Sequence, residues 1–296
     1  MKVGIVGLGK MGGAMAARFG ERGFSVIGWD ADPARLGVLK ELGQQAAGSA
    51  GELAAAADCV ITIVSDAPGV LDLYSGKRGF LEADVGGKIF IEMSTVAPTV
   101  AHALEPLATA RGATWLESPV MGTIPRARDG SLLALAGGSA EAVKRAEPYL
   151  SAIARKIVHM GPAGSGYAMK LCANLLMGSY LEAITEALAL GTSHGIALDD
   201  VLDILGESPV ASPWLKSKGP ILRGGEGDMS LDIVSLRKDM MAAVAAGAAV
   251  GVPMPGTAGV LTALSAAVAH GDGALDLAEH AAFFRQHMVQ RPRFKS

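Results

Sequence analysis

Along the first half of the chain, short apolar runs alternate with segments whose apolar positions recur every three or four residues. VGIV at 3–6, FSVIGW at 24–29, CVITIV at 59–64 and KIFIEM at 88–93 are rich in β-branched residues and bounded by Gly, Asp or Ser, the pattern of buried strands. MGGAMAARFGERG and PARLGVLKELG, lying between them, carry helical spacing. Strands alternating with helices predict a largely parallel sheet with helices on both faces. Two further runs, SLLALAGG at 131–138 and RKIVHM at 155–160, enclose the helical stretch SAEAVKRAEPYLSAI.

After about residue 162 the alternation stops. Helical segments follow one another, separated by SHGIALDD, ESPVASP, RGGEGDMS and GVPMPG, and the composition shifts toward Ala, Leu and Met. The pattern therefore predicts an α/β Rossmann-type domain over 1–162 and an all-α domain over 163–296, joined by a long helix. Ser165 is placed to cap that helix, which is expected to run to Gly191 or Gly195, roughly 40 Å at ~1.5 Å per residue. Residues 240–269 carry one charge-free stretch, but GVPMPG divides it into pieces shorter than the ~20 residues of a membrane span. Two buried helices around a Pro/Gly turn are the expected structure there.

Composition narrows the partners. A charged fraction of 19% and a net charge of −3 provide no basic field for nucleic acid, and no membrane segment is expected. A small molecule is the expected ligand. The two cysteines, Cys59 and Cys172, sit in apolar runs and are expected to be small buried hydrophobes; with no export signal visible in MKVGIVG, a reducing cytoplasmic setting is expected. The six histidines show no metal-ligand spacing, so no metal is expected.

GLGKMG at 7–12 is a complete G-x-G-x-x-G between a strand and a helix. Gly7 allows the tight turn, Gly9 lets a pyrophosphate approach the backbone, and Gly12 permits close packing of helix on strand, with Leu8, Lys10 and Met11 completing the loop. Asp30 closes the second strand, where an acid accepts hydrogen bonds from the adenosine ribose. Its carboxylate repels a 2′-phosphate, so NAD is the preferred cofactor, while Arg35 nearby keeps NADP open. In GSGYAMKLCANLL at 164–176, Lys170 and Asn174 stand four apart in an otherwise apolar helix, on one face.

Together GLGKMGGAMA, ESPVMGTIPRARDGSL at 117–132 and GSGYAMKLCAN resemble the β-hydroxyacid dehydrogenase family, in the family's order. Weaker similarity runs through SDAPGV, MSTVAP, LRKDM and HGDGALD. The resemblance implies an NAD(P)-dependent oxidoreductase interconverting a small anionic 3-hydroxy acid and its semialdehyde, in a cleft between the two domains of a homodimer or homotetramer. It implies Lys170 as general acid/base and Asn174 as its substrate-orienting partner. It further implies cofactor contacts from the glycine loop, Asp30, Val64, Ser65, Thr95 and Lys238, and substrate contacts from Ser94, Met121, Gly122 and Thr123. This chain departs from the family at three places: Met121 stands for the usual serine, Thr123 for the second glycine of the substrate loop, and Ala173 for the first asparagine. Two rival functions share the glycine loop: an imine reductase, and a dinucleotide-binding regulator without catalysis.

Overall fold

The computed structural model describes residues 1–227 and 231–284; residues 228–230 and 285–296, the ends of the RGGEGDMS break and of the expected helical domain, lie outside them. Two compact units are present, Met1–Cys172 and Ala173–Ser296.

The first unit is built on nine strands: β1 (Lys2–Val6), β2 (Ser25–Trp29), β3 (Gln45–Ala46), β4 (Cys59–Thr62), β5 (Ile89–Glu92), β6 (Thr114–Glu117), β7 (Val120–Met121), β8 (Leu132–Gly137) and β9 (Ala154–Gly161). Its sheet runs β3-β2-β1-β4-β5-β6-β8-β7, with β9 pairing β8. From β3 to β6 every pairing is parallel. The strand order reverses between β1 and β4, the switch point beside which open α/β sheets bind ligands at the carboxyl ends of their strands. Beyond β6 the pairing departs from the all-parallel pattern, since β8 runs antiparallel to β6 and β7.

Helices α1 (Lys10–Glu21), α2 (Gly37–Glu41), α3 (Ala50–Ala56), α4 (Ala67–Ser75), α5 (Pro98–Ala110), α6 (Ile124–Asp129) and α7 (Ala140–Ile153) connect the strands. They cover both faces because side chains alternate along each strand. Cys59, Ile61, Ile89 and Ile91 pack with Met15, Phe19 and Leu150 on one face. Val60, Phe90 and Trp115 pack with Leu53, Tyr74 and Leu104 on the other.

Helix α8 (Ser165–Ser193) begins in the first unit and continues into the second, where it is followed by α9 (Leu198–Glu207), α10 (Pro213–Leu222), α11 (Ile233–Ala249), α12 (Pro255–His270) and α13 (His280–Phe283). Leu181, Leu236, Met240, Val260 and Leu264 form one core of this unit, and Ile184, Leu188, Leu202 and Leu215 a second. The uncharged stretch over 240–269 falls on α11 and α12, either side of the turn containing Pro253. No helix among the described residues is long and apolar enough to cross a membrane.

Three expectations need correction. Cys59 is buried, but Cys172 is exposed: on α8 it shares the exposed face of Met169 and Leu176, three positions before and four after, opposite the buried Tyr167 and Leu171. Ser165 does not cap α8, since it is already helical and its hydroxyl donates to the Pro162 carbonyl at 2.6 Å. PARLGVLKELG forms no single helix; Asp32 caps a short 3-10 turn over Pro33–Leu36, after which α2 lasts five residues.

Candidate active site

In the first unit the glycine loop leaves β1 at the switch point. Gly7 has φ +91, a left-handed conformation that β-carbons disfavour, and a Cβ there would overlap the Ile63 carbonyl. A Cβ on Gly12 would in turn overlap the carbonyl of Gly7, so α1 packs directly on the turn. Gly9 precedes α1 and no side chain caps the helix, which leaves its positive end for an anionic ligand.

Asp30 lies beside this loop and is buried. Its Oδ2 accepts the Leu8 amide at 2.7 Å and its Oδ1 the Asp32 amide at 2.8 Å, so the carboxylate ties the loop to the end of β2. Arg35 approaches Asp30 at 3.6 Å and Asp32 at 3.7 Å. An open groove runs over Leu8, Gly9 and Lys10 and is walled by Arg35, Val38 and Arg128. A backbone cradle with no room for β-carbons, a helix N-terminus and a carboxylate at the ribose position together fit a nicotinamide dinucleotide.

The carboxyl ends of β4 and β5 form the next part of the site. Val64 donates its amide to Ser94 Oγ at 2.9 Å, and Ser94 Oγ donates to Glu92 Oε1 at 2.5 Å. Ser94 is therefore buried and committed to Glu92. Ser65 is exposed beside Val64, and Thr95 is half-buried. The helix after Pro98 starts without side-chain capping, its N-cap being Ala97.

Met121 ends β7 opposite Leu133 and is half-buried, followed by exposed Gly122 and Thr123. Thr123 precedes α6, and its hydroxyl makes no capping bond. Lys170 is half-buried on the second turn of α8, and the first turn of that helix is held by two acids. Glu117 Oε1 accepts the Gly164 amide at 2.7 Å and the Gly166 amide at 3.0 Å. Tyr167 donates its hydroxyl to Glu92 Oε2. Burial pushes the Glu92 carboxyl up to about 7, against the lowering effect of its bonds from Ser94 and Tyr167. Burial likewise raises Glu117, opposed by the two amides.

In the second unit Asn174 is buried and donates Nδ2 to Asp239 Oδ2 at 2.7 Å. Asp239 is itself buried, with Lys238 Nζ 2.9 Å from its other oxygen. Glu92, Glu117, Tyr167 and Asp239 were not anticipated as site residues. The signals present in the sequence were an acid at the end of each of two apolar strands, and an aspartate beside Lys238.

Residues 2–161 match the family model described as the NAD binding domain of 6-phosphogluconate dehydrogenase. Residues 164–284 match that of the NAD-binding of NADP-dependent 3-hydroxyisobutyrate dehydrogenase. The chain is 32% identical over 276 residues to glyoxylate/succinic semialdehyde reductase 1 of Arabidopsis thaliana, covering 93% of this chain and 96% of that protein. Among solved structures, the 3-hydroxyisobutyrate dehydrogenase of Mycobacterium tuberculosis with L-serine is similar at a TM-score of 0.84 and 27% identity, over 96% of this chain and 99% of that one. An imine reductase of Myxococcus stipitatus shares the fold at a TM-score of 0.65 and 19% identity, over 96% of this chain and 98% of that one. With the glycine loop, the substrate loop and the lysine helix in the same order along nearly its whole length, the chain belongs to the β-hydroxyacid dehydrogenase family of NAD(P)-dependent oxidoreductases.

Proposed function

We propose that the protein interconverts a small 3-hydroxy acid and its semialdehyde, with Lys170 as general acid/base. The observation that carries this reading is the placement of Lys170. It stands half-buried one turn past a helix start that is docked on β5 and β6, in the same unit as the glycine loop and, like it, at the carboxyl ends of the parallel strands. When bound, the dinucleotide supplies or accepts the hydride. Oxidation takes a hydride from carbon and a proton from oxygen, and the proton passes to Lys170 Nζ; reduction returns it to the developing alkoxide. The Lys170 ammonium also stabilises that alkoxide. Asn174, whose amide Asp239 holds, and Lys238 beside it are the positions that the family resemblance assigns to substrate and cofactor.

Asp30 supports NAD as the preferred cofactor, because its buried carboxylate opposes a 2′-phosphate. Backbone amides of Gly122 and Thr123 and the Thr123 hydroxyl bind the substrate carboxylate, and Met121 replaces a hydroxyl with an apolar surface. That change supports a substrate with an apolar group near C2. Exposed Leu190, Ile204 and Met241 in the second unit support a homodimer or homotetramer.

The test is a spectrophotometric screen with NAD(H) and NADP(H) against 3-hydroxyisobutyrate, glyoxylate, succinic semialdehyde, L-serine and their apolar-substituted analogues. Turnover of at least one of these, lost in a Lys170→Ala variant that still binds NADH, is the expected result. Turnover of cyclic imines alone would replace this reading with imine reduction. NADH binding with no turnover of any compound would leave the regulator.

A further inference from the structure

Thr62, Glu92 and Glu117 stand in register across the carboxyl ends of β4, β5 and β6, with Gly137 of β8 opposite Glu117. All three side chains are fully buried. Burying an acid is costly unless hydrogen bonds satisfy it, so the partners of these two acids indicate what they are for.

Glu117 takes two amides on a single oxygen, those of Gly164 and Gly166, at the start of α8. Helix starts leave amides without intrahelical partners, and Ser165 does not supply the missing acceptor because its hydroxyl points back to Pro162. The acceptor comes instead from the sheet, some 47 residues earlier in the chain. Glu92 holds the next residue, Tyr167, through its phenol, while its other oxygen is fixed by Ser94. The approach is close: a Cβ on Gly137 would fall on Glu117 Oε1, and one on Gly166 would strike the Leu135 carbonyl. Three successive anchors at 164, 166 and 167 fix both the height and the rotation of the helix. Lys170 follows three residues later, less than one turn beyond the last anchor.

We propose that Glu117 and Glu92 are positioning residues for the reaction: by docking the first turn of α8 onto the carboxyl ends of β5 and β6, they set where Lys170 Nζ reaches the substrate oxygen. The proposal rests on the reading of Lys170 as the proton donor. Neither acid exchanges a proton with substrate. Each acts through backbone or phenol, and each is needed because misplacing a catalytic group by about 1 Å can cost about 100-fold in rate.

The test uses the full chain and four variants: Tyr167→Phe, Glu117→Ala, Glu117→Gln and Lys170→Ala. Amide hydrogen exchange over 164–172 reads the docking; kcat, KM and the NADH dissociation constant read its effect. In Tyr167→Phe and Glu117→Ala, exchange over that segment is expected to rise at least ~10-fold. Their kcat should fall roughly 10- to 100-fold, with the NADH constant within about twofold of wild type. Glu117→Gln keeps an acceptor for both amides and is expected to restore exchange and kcat together. If Glu117→Ala does not fold, Tyr167→Phe, which removes one hydroxyl, carries the comparison. Unchanged exchange in Tyr167→Phe overturns the docking. Raised exchange with wild-type kcat overturns the positioning role, since a merely structural bond would behave that way. A Lys170→Ala enzyme that still turns over would sink the reading of Lys170 itself, whereas loss of turnover there with an unaffected Tyr167→Phe enzyme would sink only this proposal.

Discussion

Asn174 and Asp239 meet through a single hydrogen bond of 2.7 Å between buried side chains, and Lys238 closes on the far oxygen of the same carboxylate at 2.9 Å. The amide that the family resemblance assigns to the substrate is thus already oriented by an acid from α11. The carboxylate fixes which way the amide faces: its NH2 end points to Asp239, so its carbonyl end is directed elsewhere.

Replacing Asn174 by Asp sets two carboxylates against each other, whereas replacing it by Ala leaves Asp239 with Lys238. Asn174→Ala is expected to cost about 1–2 kcal/mol. Asn174→Asp should cost about 2–3 kcal/mol more at neutral pH, and less as the solution is acidified. Urea unfolding at two pH values checks both. Equal stabilities for the two variants would contradict the pairing.

At the ribose position, Asp30→Asn removes the charge while keeping one acceptor for the Leu8 amide. NAD binding should weaken about tenfold, and the ratio of NADP to NAD affinity should rise. Arg35→Ala should lower NADP affinity more than NAD affinity. Titrations of nicotinamide fluorescence with both reduced cofactors measure all four constants.

The glycine turn is expected to tolerate no side chain at 12. Gly12→Ala places a methyl group on the Gly7 carbonyl oxygen and should destabilise the fold by about 2–3 kcal/mol while weakening NADH binding. Thermal unfolding with and without NADH checks it. A variant with wild-type stability would show that α1 can shift away from the turn.

Glu92 gives a pH signature. Its ordinary carboxyl value of 4.5 rises in the fold to about 7, chiefly through burial, with Ser94 and Tyr167 donating to it and Glu117 adding repulsion from the neighbouring strand. The native state therefore binds more protons than the unfolded chain between these values. Its contribution is complete below 4.5 and is lost as pH rises through about 7. The loss amounts to at most roughly 3 kcal/mol. Glu92→Gln cannot titrate, so the wild-type and variant stability curves should converge at low pH and separate toward pH 8. Parallel curves across that range would remove Glu92 from the account.

Much of the fold could be read from the sequence because its signals are local. VGIVGLGKMG holds strand, turn and helix start within ten residues, and the 29 residues of α8 contain no Pro and are mostly strong helix formers. The two-residue β3 and β7 carry no periodicity, and β6 is a four-residue strand with polar ends. The antiparallel turn of the sheet at β8 was hidden for the same reason. Within the site, Lys170 and the glycine loop stood out as residues that their own surroundings do not explain. Glu92, Glu117 and Asp239 did not, because their meaning lies in partners 75, 47 and 65 residues away. A strand-ending glutamate looks solvated until the helix start that covers it is known.

The exposure of Cys172 gives the chain a built-in chemical handle. Cys59 is buried and its thiol is pushed well above the usual range by that burial, so it neither meets nor readily attacks an alkylating reagent. A maleimide fluorophore or spin label added to the native chain should therefore attach at Cys172 alone, two residues past Lys170, without a cysteine-free background having to be engineered. The helix that carries the proposed chemistry can be watched by spectroscopy through a side chain it already has.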